Sequence, residues 1–139
     1  GEHATTHFRA RMFSPTGGFG MNTGIQDAVD LAWKLDAALK GWAGPHLLDT
    51  YEIERRPVGI RNITEAGENL GRMVKPKAPK EVFEPGPTGD AARARFGGSY
   101  TNAMRREWFT TGIHLGYRYE HSPIVVADGT PEPADDPAL

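Results

Sequence analysis

Cysteine is absent from the 139 residues, so neither a disulfide nor a thiolate metal site can form, and a reducing cytoplasm is the expected setting. Long apolar runs are missing as well. Nothing approaches the roughly 20 residues needed to cross a bilayer, so no membrane association is expected. Gly1-Glu2-His3 offers neither a basic start nor an apolar stretch, which argues against a secretory leader. Without methionine at position 1, the sequence reads as a fragment or a processed chain. Charge of one sign is scarce too: 16 basic residues stand against 18 acidic ones, a formal net charge of −2. The densest basic cluster, Arg93, Arg95, Arg105 and Arg106, is partly answered by Asp90 and Glu107 and reads as a solvated helix face. No nucleic-acid partner is expected from such a pattern.

Glycine and proline, by contrast, are plentiful, at 17 and 11 residues. Phe13-Ser14-Pro15-Thr16-Gly17-Gly18-Phe19-Gly20 is a loop suited to backbone conformations that other residues resist. A helical pattern follows at once, with Ile25, Ala28, Val29, Ala32, Leu35 and Leu39 stepping by three and four. It predicts a helix of about 18 residues, capped by Asn22 or Thr23 and ended by Gly41, with one apolar stripe. A second helical run, from about Leu47 to Met73, is interrupted by Pro57, where a kink or restart is expected. Residues 75–88 form a proline-rich connector, and Gly89 to about Arg106 is a third helical candidate weakened by Gly97-Gly98. Gly116 to Tyr119 and Pro123 to Val126 have β-type composition, Asp128-Gly129 signals a turn, and residues 131–139 form a loose tail.

The chemistry-bearing segment is Pro15-Thr16-Gly17-Gly18-Phe19-Gly20-Met21-Asn22-Thr23-Gly24, a glycine-rich turn placed directly on a helix amino terminus. Free N–H groups and the helix dipole favour negative charge there, and the missing side chains let a flat ligand approach the backbone. The lysine and hydroxyl pair of a P-loop is lacking, and the glycines do not match a dinucleotide fingerprint. On the residues alone, a cofactor or anion site and a plain tight turn both remain open.

Residues 13–57, with PTGGFGMNTGIQDA, the LAWKL core and LLDTYEIERRP in order, resemble the FAD-dependent aromatic-ring monooxygenases, the class of para-hydroxybenzoate and phenol hydroxylases. A weaker likeness, to phenol-hydroxylase-type members, runs from Leu115 to Thr130. The resemblance implies an α/β parent fold, of which this chain would be a mainly helical piece with a short β region near its carboxyl terminus. It divides the chain into the carboxyl-terminal part of an FAD-binding domain (1–74), the connector (75–88), a helix with short strands (89–130) and the tail (131–139). It further implies FAD as cofactor, NAD(P)H as co-substrate, and hydroxylation of a phenolic substrate through a C4a-hydroperoxyflavin. Pro15, Gly17, Gly18, Phe19, Gly20, Met21 and Asn22 would be the flavin contacts, mostly through backbone, with Pro15 between flavin and substrate.

The sequence departs from the family ahead of the loop. Where members carry Gly-Asp-Ala-Ala-His, this chain has His7-Phe8-Arg9-Ala10-Arg11, and Gly1-Glu2 could imitate the Gly-Asp pair only across an insertion. The amino-terminal βαβ unit that would hold the ADP half of FAD is also missing, so the isolated chain is expected to lack activity. The alternatives are a non-catalytic helical module without flavin, or a subunit completed by another chain. Elsewhere the residues call for structural roles. His3 and His7 lack a third metal ligand, and no histidine offers a convincing general base. Arg55 and Arg56 suit ties to carboxylates such as Glu52, and Trp33 suits packing. With no partner sheet, the Ile25–Leu39 stripe would drive self-association.

Overall fold

The computed structural model describes residues 14–131 and 134. Glu2, His3, His7 and most of the tail expected to be loose lie outside these residues. A 3₁₀ turn, Thr16–Gly18, leads into helix α1, Phe19–Leu39, and α2 follows as Thr50–Val74. A second 3₁₀ turn at Lys80–Phe83 precedes α3, Pro87–Trp108, and the short α4, Thr111–Leu115. None of these helices is long and apolar enough to cross a membrane.

Every regular element among the described residues is helical, which corrects the expectation of a short β region near the carboxyl terminus of this piece of an α/β parent fold. The β-branched residues at 124–126 express a preference that needs a ladder partner, because an unpaired strand leaves its N–H and C=O groups unsatisfied. No second extended strand is present among the described residues to supply one. The segment closes into turns instead, with Ser122 N–H donating to the Tyr119 carbonyl at 3.4 Å and Val125 N–H to the Ser122 carbonyl at 3.2 Å. Val126 is left 90 % exposed. Asp128-Gly129 does turn: the Asp128 carboxylate accepts from Thr130 N–H at 2.9 Å.

Helix α1 starts four residues ahead of the expected caps. Gly18, in a left-handed conformation, stands at its N-cap and no side chain caps it. Asn22 instead donates its side-chain amide to the Gly18 carbonyl at 3.2 Å, and Thr23 is buried. Helix α2 continues through Pro57 as one element, without the expected restart, and α3 runs through Gly97-Gly98. Pro87 opens α3, where a missing N–H costs nothing, after Gly86 at φ 79°.

The apolar stripe of α1 lies outside, as expected for a chain without its partner sheet. Ile25 is 56 % exposed and Leu39 87 %, and Ala28, Val29, Ala32 and Leu35 are exposed with them. The buried stripe is Thr23, Asp30, Lys34 and Ala37, spaced by seven, four and three along one helical face. It meets Thr50, Glu54, Val58, Asn62, Ala66 and Asn69 of α2, spaced by fours and a three. The seam is largely polar. Lys34 Nζ contacts Asp30 Oδ2 at 2.8 Å and pairs with Glu54, which also accepts from the Ser122 hydroxyl. Asn62 donates to Thr23 Oγ1 at 2.8 Å. Apolar periodicity could not reveal a seam of this kind, because the residues that pair across it are hydrophilic.

The apolar core is correspondingly small: Phe19, Ala66 and Ile113, all fully buried, bring the start of α1, the middle of α2 and α4 together. It sits under the glycine-rich turn. Thr16 anchors that turn by donating its hydroxyl to the Ala66 carbonyl at 2.6 Å.

Candidate functional site

The turn is built from two successive left-handed glycines, Gly17 at φ 79° and Gly18 at φ 66°. A side chain at Gly17 would point into the core: a Cβ there would lie 2.3 Å from the Phe19 ring and 2.9 Å from Asn69 Nδ2. At Gly18 a Cβ meets nothing within 4 Å, so the backbone there is open. Gly20 has no left-handed requirement, since it lies within α1. The first-turn N–H groups of α1 have no acceptor within the helix, and their dipoles favour negative charge. Gly17 N–H already meets an anion, donating to the Glu107 carboxylate at 3.4 Å.

A cavity of about 750 Å³ opens beside this turn. Pro15, Gly17, Gly18 and Asn22 form one wall, continued along α1 by Ile25 and Gln26. The opposite wall comes from the end of α3 and from α4: Glu107, Trp108, Thr110, Thr111, His114 and Leu115. Of the seven residues singled out in sequence, four therefore line one cavity. Phe19 does not; its ring is fully buried and stacks on His114 at 4.9 Å between centroids. Gly20 and Met21 are also off the wall, and the Met21 side chain is 75 % exposed. The far wall was missed in sequence because it lies some 90 residues along the chain, and no local pattern announces such a contact.

The wall of α4 is held from several sides. Gln26 donates its side-chain amide to the His114 carbonyl at 2.9 Å, and Arg61 donates to the Gly112 carbonyl at 3.2 Å. Gln26 in turn accepts from Arg55 at 3.3 Å. Burial disfavours the Arg55 charge, yet hydrogen bonds to Asp27 at 2.8 Å and to the Tyr119 hydroxyl at 3.1 Å hold its pKa above the ordinary value. Tyr119 is itself pushed up to about 12, mainly by burial. Arg56 reaches Glu52 at 3.8 Å on the exposed side, so both arginines tie to carboxylates as expected. Trp33 stays partly exposed, with Lys34 Nζ 5.5 Å from its ring centroid.

Burial lowers the His114 pKa below the usual histidine value. The unfolded chain therefore takes up this proton at higher pH than the folded one. The stability tied to neutral His114 is complete above the ordinary value near 6.5 and is lost as pH falls through the folded-state value. Thermal midpoints recorded from pH 7.5 down to about 5 are expected to fall less steeply for His114→Gln than for the parent chain. Identical slopes would remove His114 as a contributor.

Residues 10–66 match the family described as FAD binding domain. The FAD-dependent monooxygenase apdD of Emericella nidulans is 40 % identical over 110 residues, covering 76 % of this chain and 18 % of its own length. The 4-methyl-5-nitrocatechol 5-monooxygenase of a Burkholderia species is 39 % identical over 126 residues, covering 91 % of this chain and 19 % of its own. Among solved structures, the rebeccamycin biosynthetic enzyme RebC with reduced flavin superposes with a TM-score of 0.77 at 48 % identity, covering 88 % of this chain and 24 % of RebC. The chain thus spans about a fifth to a quarter of the length of the proteins it matches. In sequence and in backbone geometry, the chain is similar to one part of FAD-dependent monooxygenases, and residues 10–66 match an FAD binding domain.

Proposed function

We propose that this chain forms one side of the FAD site of an NAD(P)H-dependent monooxygenase that hydroxylates phenolic substrates. The observation that carries the reading is the pair of left-handed glycines, Gly17 and Gly18, which sets an uncapped helix start on the edge of a cavity of about 750 Å³. The residues present suit a flavin. Gly18 offers bare backbone with open space before it, and Gly17 N–H already satisfies a carboxylate. Pro15, Gly17, Gly18 and Asn22 would hold the ring system from the wall. Phe19, Gly20 and Met21 would act through backbone N–H groups, which fits the inward ring of Phe19 and the outward side chain of Met21. Bound FAD would supply oxygen activation with electrons taken from NAD(P)H. The chain's own part is to position the ring, stabilise negative charge on it through the helix start, and keep water out along the α4 wall. Pro15, exposed at the rim, would face the substrate.

Titrating FAD into the chain and following flavin fluorescence tests this. Saturable quenching that Gly18→Val loses, while keeping its helical circular dichroism, supports the reading. Equal binding by both proteins, or none by either, contradicts it. No oxidation of NAD(P)H above that of free FAD is expected from the isolated chain, which is proposed to lack the rest of the active site.

The exposed face of α1 bears on partners. We expect Ile25, Val29, Leu35 and Leu39 to drive self-association, or pairing with a complementing chain, because they form one contiguous apolar stripe. Light scattering after gel filtration is expected to give more than one chain per particle, and Val29→Lys with Leu39→Lys is expected to reduce it to one. A monomeric parent chain would contradict this.

A further inference from the structure

Arg55 is 4 % exposed, lies outside the cavity, and still touches α1, which builds one cavity wall, and the segment that follows α4. Its guanidinium bonds Gln26 and Asp27 of α1 and the Tyr119 hydroxyl, and lies 5.0 Å from the Tyr117 ring centroid. Gln26 passes the hold on, since its amide nitrogen donates to the His114 carbonyl while its oxygen accepts from Arg55. Tyr117 and Tyr119 follow α4 directly in the chain. One planar group therefore reaches the carboxyl end of α4 by two routes, through Gln26 and through the segment that follows the helix. A five-residue helix does not hold itself, and beside this fork it has the buried Ile113, the Phe19–His114 stack and the Arg61 bond to Gly112 to fix it.

We propose that Arg55 is a positioning residue, which sets the α4 wall of the cavity through Gln26 on one side and Tyr117 and Tyr119 on the other. The bond directions account for the arginine. Three acceptors in different directions suit a fork of five N–H groups, whereas a lysine ammonium on a flexible stem cannot span them while keeping Asp27. The ligand consequence rests on the FAD reading above. Ligand affinity then depends in part on a residue that never touches the ligand, because this fork is one of the holds on the His114 side of the cavity.

Amide hydrogen exchange on the chain, with FAD affinity measured beside it, tests the proposal. Arg55→Lys is expected to lower protection of the His114 and Gly116 amides about tenfold, and FAD affinity by a similar factor, while amides in the middle of α1 and α2 keep theirs. Tyr119→Phe, which removes one bond and keeps the ring, is expected to give a smaller loss at the same amides, and serves if Arg55→Lys fails to fold. Arg56→Lys, on the exposed side, is expected to change neither. Unchanged α4 protection in Arg55→Lys and Tyr119→Phe overturns the proposal. So does an equal loss throughout α1 and α2, the signature of a residue that only stabilises the fold. If the parent chain binds no FAD, the cofactor reading fails while the exchange comparison still decides the role of Arg55.

Discussion

Lys34→Met is expected to cost about 3–5 kcal/mol of folding stability, enough to unfold much of the chain at 25 °C. Lys34 is fully buried in the seam between α1 and α2, and its ammonium is shared by Asp30 and Glu54, both almost as deeply buried. Methionine fits the space but leaves two carboxylates facing each other without a counter-ion, and desolvated like charge is the expensive part. The loss therefore comes from the groups left behind rather than from the missing bond. A variant that neutralises all three, Asp30→Asn with Lys34→Met and Glu54→Gln, is expected to recover most of the stability, since the Ser122 hydroxyl can still donate to the amide oxygen at 54. Urea midpoints for the three proteins decide the matter. If the single variant were as stable as the parent, the seam would not be held by this charge cluster.

Gly17→Ala is expected to be the most damaging change in the turn, at about 2–5 kcal/mol from left-handed strain and overpacking together. The new methyl would come within 2.3 Å of the Phe19 ring and 2.9 Å of Asn69 Nδ2, and the φ of 79° is disfavoured with any side chain. Phe19 belongs to the buried apolar cluster with Ala66 and Ile113 and stacks on His114, so the strain spreads to the cavity wall. Gly18→Ala is the control. It carries the same backbone penalty, about 1–2 kcal/mol, with no atom within 4 Å of the new carbon. Urea denaturation is expected to separate the pair clearly, and equal losses would mean that close packing under Gly17 is not what demands glycine.

Much of the near wall could be read from the sequence, because glycine spacing and helical period are local signals. Pro15, Gly17, Gly18 and Asn22 share a wall for that reason, and the first helix was visible in its repeating apolar residues. The orientation of that helix was legible only in part. Its apolar stripe was expected to stand exposed without a partner sheet and does, but nothing local showed that Thr23, Asp30 and Lys34 would be buried against matching polar groups of α2. Polar residues that satisfy one another across a seam look, one helix at a time, like a solvated surface. The β expectation at 124–126 failed because composition records a preference and not the presence of a partner. Glu107 and His114 were beyond reach, since their contacts with Gly17 and Gln26 span 90 and 88 residues.

Mapping amide shifts while FAD is added tests the central claim most directly. At up to about 1 mM FAD, where an interaction worth about 4 kcal/mol is half saturated, even a partial site gives a measurable response. The account predicts saturable shifts at Gly17, Gly18, Asn22 and His114, with the middles of α2 and α3 unmoved. No shift at that concentration, or shifts centred away from the cavity, would contradict it.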